Sequence, residues 1–171
     1  MTVAHTARPD DFTGQTIAIT GGAGILGGEL ACALAATGAN VAMLDKSVAR
    51  GPALLERMGP HAGRAAVIET DVLDSASVAR ALDALVERYG QVDILINGAG
   101  GNHPKATTNA DTRFFDLPPD ALRWVFDLNL IGTIIPSQIF GRHMAQRGAG
   151  NILNISSMNA FRPLTRIAAY S

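Results

Sequence analysis

Short apolar runs alternate along this chain with stretches whose apolar residues recur at helical spacing, the pattern of strands joined through helices. Thr16 to Thr20 reads as a buried strand running into a glycine-rich turn. After it Leu26, Leu30, Ala33 and Leu34 share a helical face, and the helix is expected to end near Gly38. Asn40 to Leu44 predicts a second strand, Ser47 to Met58 a second helix, and Ala65 to Thr70 a third strand. Ser75 is the expected N-cap of a helix carrying Val78, Leu82, Leu85, Val86 and Tyr89 on one face. Gln91 to Asn97 predicts a fourth strand, followed by a polar, glycine-rich loop from Gly98 to near Asp116. Pro118 and Pro119 open a long helix running to near Gln146, with Leu122, Val125, Phe126 and Leu130 on one face. Pro136 removes the bond to the Gly132 carbonyl and predicts a kink. Asn151 to Ser156 predicts a fifth strand.

Strands separated by helices of this length need crossover connections, which implies a parallel sheet covered on both faces. The strands are near-continuous apolar runs, as two-sided burial requires. The expected fold is therefore α/β: a Rossmann-type, doubly wound parallel sheet. Residues 1–13 read as a flexible N-terminal arm and 14–171 as one domain.

Composition narrows the function. With 14 basic and 15 acidic residues spread along the chain, no basic block offers a nucleic-acid surface. The single cysteine, Cys32, permits no internal disulfide and suggests a reducing compartment; within its apolar helical run it reads as a buried, inert thiol. Neither a signal-peptide core nor a run of ~18 apolar residues is present, so no membrane partner and a cytoplasmic location are expected. His5, His61, His103 and His143 lack metal-ligand spacing, and no metal is expected.

The first strand ends in Thr20, Gly21, Gly22, Ala23, Gly24, Ile25, Leu26 and Gly27. Gly22, Gly24 and Gly27 satisfy the dinucleotide fingerprint between a strand and a helix, where backbone can approach a pyrophosphate and free amides can face it. Asp45 closes the second strand 21 residues after Gly24. A carboxylate there accepts from ribose hydroxyls and repels a 2′-phosphate, which favours NAD; Lys46 beside it softens that repulsion and keeps NADP as the lesser alternative.

Further motifs follow in order: Asp71-Val72, Asn97-Gly98-Ala99-Gly100, Asn129 in Asn-Leu-Ile-Gly132, Ser156-Ser157, and Tyr170. In their order and spacing the chain resembles the short-chain dehydrogenase/reductase family over essentially all of residues 14–171. Two departures stand out. Ile25 occupies the position of the family's middle glycine, and Gly98 that of the second Asn in Asn-Asn-Ala-Gly. The resemblance implies that Asp71 and Val72 border the adenine and that Asn97 with Gly98 holds the fourth strand's end against the cofactor. It implies that Tyr170 is the general acid/base at a carbinol oxygen, that Ser157 hydrogen-bonds the same oxygen, and that Asn129 positions a water in the proton relay. Each residue also has an ordinary reading: Asn129 as a satisfied helical polar group, Ser157 as a strand terminus, Tyr170 as a packing residue.

Tyrosine, with an unperturbed pKa near ~10, needs a nearby cation at neutral pH. The resemblance implies a lysine one helical turn on, at position 174, past Ser171. A polypeptide ending at Ser171 is expected to bind cofactor but turn over little; a longer parent is the preferred reading, with the family's domain incomplete at its C-terminus. The stretches Asn97–Thr108 and Ser156–Arg166 resemble the D-mannonate oxidoreductase (fructuronate reductase) branch. That implies an anionic sugar-acid substrate met by His103, Lys105, Asn159 and Arg162, with Arg166 and Asn102 nearby. The alternatives are a sugar or polyol dehydrogenase of the gluconate 5-dehydrogenase kind, and an inactive NAD-binding protein. The apolar surface of the long helix, as in the family, implies a homo-tetramer or dimer.

Overall fold

The computed structural model describes residues 11–171. Strands β1 (Thr16–Thr20), β2 (Asn40–Asp45), β3 (Ala65–Glu69), β4 (Ile94–Asn97) and β5 (Asn151–Asn154) form one sheet in the order β3-β2-β1-β4-β5. Every pairing is parallel. The chain winds outward from β1 to β3, then returns to place β4 on the other side of β1. The order thus reverses between β1 and β4, and a crevice opens past their carboxyl ends.

The period-two alternation of the strands sorts the core into two layers. Ile17, Ile19, Val41 and Met43 face α1 (Ile25–Ala36) and α2 (Gly51–Met58), meeting Ala31, Ala35, Leu54 and Met58. Ala18, Ala42, Leu44 and Leu95 face α3 (Ser75–Tyr89) and α5 (Gly132–Arg147), meeting Val78, Ala81, Leu85, Phe140 and Met144. This is the doubly wound arrangement expected from the pattern.

Several local expectations need correction. The packed face of α1 is Gly27, Gly28, Ala31 and Ala35, whereas Leu26 is 57% exposed and Ala33 is exposed. The reason is proximity: a Cβ on Gly28 would lie 2.8 Å from a Leu54 methyl, so only small residues admit the helix this close. Cys32 is half-buried, not buried. The second helix begins as a 3-10 turn, Val48–Arg50, before α2. The N-cap of α3 is Asp74, whose Oδ1 accepts from the Ala76 amide at 2.9 Å; Ser75 is the first helical residue. β3, β4 and β5 are each shorter than expected. β5 is not buried on two faces; Leu153 is 55% exposed at the sheet edge of the described residues.

The long helix is three pieces: α4 (Pro119–Phe126), a π turn (Asp127–Ile131) and α5. Its irregularity lies before Pro136, through which the chain stays helical. Phe126 and Leu130, expected on the packed face, are 56% and 54% exposed and line the cleft past the carboxyl ends of the strands. Of the expected N-terminal arm, residues 1–10 lie outside the described residues; Phe12 packs against the core and donates to the Thr37 carbonyl at 3.2 Å. Among the described residues no helix is long and apolar enough to cross a membrane.

At the amino ends of the central strands, opposite the crevice, Asp93 accepts from the Thr16 amide at 2.9 Å, from Gln91 Nε2 at 2.9 Å and from Arg147 at 2.8 Å. Arg147 also donates to the Val92 carbonyl at 2.8 Å. Burial pushes the Asp93 carboxyl upward, but the Thr16 amide, Arg147 and Gln91 outweigh it and hold the group below its ordinary value. Asp93 therefore ionises more readily folded than unfolded. Its contribution is complete above the unfolded carboxylate pKa of ~3.9 and is lost as pH falls through the lower folded value. We predict that Arg147→Ala costs about 1.5–3 kcal/mol in urea unfolding at pH 7. The stability difference between wild type and Asp93→Asn should be constant at neutral pH and shrink once pH drops below ~4.

Candidate active site

Thr20, the last residue of β1, is 1% exposed, and its Oγ1 accepts from the amides of Gly98 at 3.1 Å and Ala99 at 3.2 Å. The hydroxyl thereby ties the ends of β1 and β4 together across the point where the strand order reverses. Thr20 does not line the cleft. Gly21 turns with φ +67°, and a Cβ there would lie 2.9 Å from the Ala99 Cα. A Cβ on Gly22 would meet the Ile19 carbonyl at 2.7 Å, and one on Gly27 would run into the Gly21 carbonyl. Gly24 caps α1 without a side chain, and the first helical bond runs from the Gly28 amide to the Gly24 carbonyl at 3.0 Å. The amides of Ile25, Leu26 and Gly27 precede that bond and so lack intrahelical partners.

Ile25 is 79% exposed at the mouth of the cleft. Its backbone does not need glycine's freedom, since Arg166 is the one non-glycine residue with positive φ among those described. The glycines that permit backbone contact here are Gly21, Gly22 and Gly27, which explains how the turn tolerates Ile25.

Asp45 closes β2 with both carboxylate oxygens engaged: Oδ2 accepts from the Ala23 amide at 3.1 Å and Oδ1 from the Ser47 amide at 3.0 Å. Beside it Lys46 Nζ lies 2.7 Å from Asp71 Oδ2. That bond, with a second from the Leu73 amide to Asp71 Oδ1 at 3.0 Å, holds the Asp71 carboxyl below its ordinary range.

Asn97, 3% exposed, donates from Nδ2 to Ser137 Oγ at 2.9 Å and Asn154 Oδ1 at 2.8 Å. The Ser137 hydroxyl donates onward to the Thr133 carbonyl at 2.7 Å, which leaves it to accept from Asn97 and fixes the amide's orientation. Asn97 thus joins β4 to β5 and α5 and, like Gly22, stays off the cleft surface. Asn129 sits on the π turn. Its Oδ1 accepts from the Gly101 amide at 3.0 Å, while Nδ2 donates to the Gly101 and Val125 carbonyls, both at 2.7 Å. The side chain fastens the loop after β4 to the helix.

A cleft of about 730 Å³ brings these parts together. Gly21, Gly24, Ile25, Leu26, Gly27, Asp45, Asp71, Val72, Gly98 and Ala99 line one part, and Asn129, Ser157 and Tyr170 another. Ser157 Oγ accepts from the Asn159 amide at 3.2 Å, leaving its hydrogen for another acceptor. Tyr170 packs against Ala106, Ala121 and Val125. Ser156 also lines the cleft.

None of His103, Lys105, Asn159 and Arg162 lines it. His103 Nδ1 accepts from the Lys105 amide at 3.1 Å, and its ring meets Trp124 edge-on at 5.1 Å. Lys105 and Arg162 are exposed, while Asn159 is 7% exposed. The two stretches that carry them are nevertheless bonded, because the Thr108 amide donates to the Arg166 carbonyl at 2.8 Å and Arg166 holds φ +75°. Trp124 and Thr70 line the cleft without having been foreseen; nothing in the helical periodicity of one or the strand-end position of the other marks a wall residue. Among the described residues no three His, Cys, Asp or Glu side chains cluster as metal ligands.

The profile of the short chain dehydrogenase family matches residues 15–171. An uncharacterized oxidoreductase of Bacillus subtilis is 38% identical over 170 residues, 95% of this chain and 61% of that protein. D-threitol dehydrogenase of Mycolicibacterium smegmatis is 31% identical over 157 residues, 92% of this chain and 58% of that one. Among solved structures, a Haemophilus influenza protein provisionally described as a D-mannonate oxidoreductase, with bound NAD, superposes at TM-score 0.85 and 40% identity. It covers 94% of this chain and 61% of its own. NAD+-bound xylitol dehydrogenase superposes at TM-score 0.83 and 26% identity, over 93% of this chain and 59% of its own. The chain spans 58–61% of the length of these relatives.

The backbone contacts at the turn generate a prediction. Gly27→Ala forces Cβ into the Gly21 carbonyl and should abolish NADH binding in a fluorescence titration. Thr20→Val, which leaves two amides without their acceptor, should cost about 1–3 kcal/mol in stability.

Proposed function

The chain belongs to the short chain dehydrogenase family, and on that footing we propose that the protein oxidises and reduces a CH–OH group of a sugar acid with NAD(H), the favoured pair being D-mannonate and D-fructuronate. The observation that carries the proposal is the shared cleft. Ser157 and Tyr170 come from the far end of the chain, yet they line the same cavity as the glycine turn and Asp45.

The residues fit a dinucleotide. Gly21, Gly22 and Gly27 sit where a Cβ would collide with backbone, and α1 begins there with free amides and no acidic residue in its first turn. Those amides would hold the pyrophosphate, Asp45 the ribose hydroxyls through its remaining lone pairs, and Asp71 with Val72 the adenine. When bound, the nicotinamide supplies the hydride donor or acceptor. The chain's own work is proton handling and orientation. Tyr170 exchanges a proton with the carbinol oxygen, and Ser157, with its hydrogen free, donates to the same oxygen. Asn129 holds Gly101, and with it the loop that leads to His103 and Lys105.

Lys105 and Arg162, with His103 and Asn159, are proposed to receive the substrate's carboxylate and hydroxyls as the two bonded loops close over the cleft. A cytoplasmic location accords with the cysteine usage. Assembly as a dimer or tetramer accords with Ile131 and Ile134, which are exposed on the long helix outside the cleft. A second reading, a neutral polyol as substrate, draws on the exposed position of both cations and on the D-threitol and xylitol dehydrogenases among the relatives.

The test uses the full-length protein and compares kcat/KM for D-mannonate with that for xylitol and D-threitol. A preference for the acid of about tenfold or more, erased when Lys105 and Arg162 are both changed to Met, supports the sugar-acid reading. Preference for the polyols replaces it with the second. In either case Tyr170→Phe should lower kcat about 100-fold or more while leaving NADH titration intact.

A further inference from the structure

Asp45, Lys46 and Asp71 are the carboxylates and cation that line the cleft; among the described residues Lys46 is its one lysine or arginine. The two acids are held very differently. Asp45 is bound by backbone amides at both oxygens, so its charge remains unneutralised by any side chain. Asp71 is bound by the Leu73 amide on one oxygen and by Lys46 Nζ on the other, at 2.7 Å. Lys46 follows Asp45, the last residue of β2, and so stands just past the strand end where the ribose 2′ position of a dinucleotide would fall. Its ammonium is thus drawn sideways toward the end of β3 and away from that position.

An added 2′-phosphate brings up to two negative charges and three acceptor oxygens. A lysine at this strand end, free to turn, is the group suited to receive it. We infer that Asp71 sets cofactor choice by withholding Lys46 from a 2′-phosphate, so that selectivity for NAD resides in the Lys46–Asp71 pair as well as in Asp45. This rests on the dinucleotide reading above and deepens it. Asp45 alone leaves the selectivity incomplete, because an unpaired lysine next to it would cancel the repulsion. With Lys46 engaged by Asp71, the lining carries one uncompensated negative charge, and a phosphate meets repulsion with no cation to offset it. Asp71 is a specificity residue in this account, acting through Lys46.

The experiment measures dissociation constants for NADH and NADPH by fluorescence titration in wild type, Asp71→Asn, Lys46→Met and the double variant. Asn at 71 keeps an acceptor for the Leu73 amide and loses the charge that holds Lys46. Relative affinity for NADPH over NADH should rise about three- to fivefold in Asp71→Asn, and the double variant should lose that gain. Taking a ratio removes any common weakening of adenine binding. In Lys46→Met the freed Asp71 charge adds to that of Asp45, so the ratio should fall below the wild-type value, and the double variant, whose lining again carries one uncompensated charge, should return to it. Should Asp71→Asn fail to fold, Asp71→Ser takes its place in both arms. An unmoved ratio in the folded Asp71 variant, an equal gain in the double variant, or a higher ratio in Lys46→Met would each overturn the inference. Failure of the wild type to bind either cofactor would overturn the dinucleotide reading itself, and the inference with it.

Discussion

Backbone lying directly on backbone at the reversal of strand order is the constraint from which the rest of the cleft follows. Gly21 rests against Ala99, Gly22 against Met43 and the Ile19 carbonyl, and Gly27 against Gly21, each with no room for a side chain. Contacts this short admit little adjustment, so the turn has one shape, and that shape aims the first turn of α1 at the crevice. The Thr20 hydroxyl completes the junction by accepting from Gly98 and Ala99. Because these groups are fixed as the chain folds, an incoming pyrophosphate would find its donors already oriented, and little ordering cost would fall on binding. The small face of α1 is part of the same arrangement. A helix carrying large residues there would stand off the sheet and pull its N-terminus away from β4.

The opposite wall is held by different means. It contains no sheet ladder past Asn154, and its loops are fastened by side chains reaching to backbone and by a backbone bond between loops. Asn129 grips Gly101, Ser157 receives the Asn159 amide, and Arg166 offers its carbonyl to Thr108. The residues the family resemblance assigns to chemistry are therefore also positioning groups. A π turn supplies the wall's shape, and such turns occur often at functional sites because they displace a helix locally without ending it. The arrangement has a cost. Asn97 Oδ1 and Asn102 Oδ1 are buried without a donor, and a buried acceptor so left forfeits its hydration.

Much of this was legible in the sequence where the deciding interactions are local. The apolar runs marked all five strands, and helical spacing marked the helices between them. The crossover rule then implied a parallel sheet, and the glycine turn with Asp45 pointed to the strand-order reversal as the candidate site. Legibility failed where local pattern and tertiary contact disagree. Of the predicted face of α1, Leu30 and Leu34 pack against the core, but Leu26 and Ala33 are exposed, and glycine and alanine make the closest contact because the helix must lie close. Asp74 displaced Ser75 as the cap, a difference of one residue that helical period cannot resolve. Proline chemistry pointed to Pro136, but the distortion falls earlier, at Asp127–Ile131.

The sequence by itself determined the order of elements, the class of fold and the chemical kinds of residue near the crevice, since these depend on side-chain type and near-neighbour spacing. Only the tertiary structure decided which of those residues share a cavity. Residues as distant as Asp45 and Tyr170 line one cleft, while His103, Lys105, Asn159 and Arg162 stand outside it. It also decided that Lys46 is engaged by Asp71, 25 residues away, a pairing that depends on β2 and β3 lying side by side. The physical reason is the same in each case. Periodicity records which way a side chain points from its own element, but the partner it meets is set by how separate elements pack, and no run of neighbours encodes that distance.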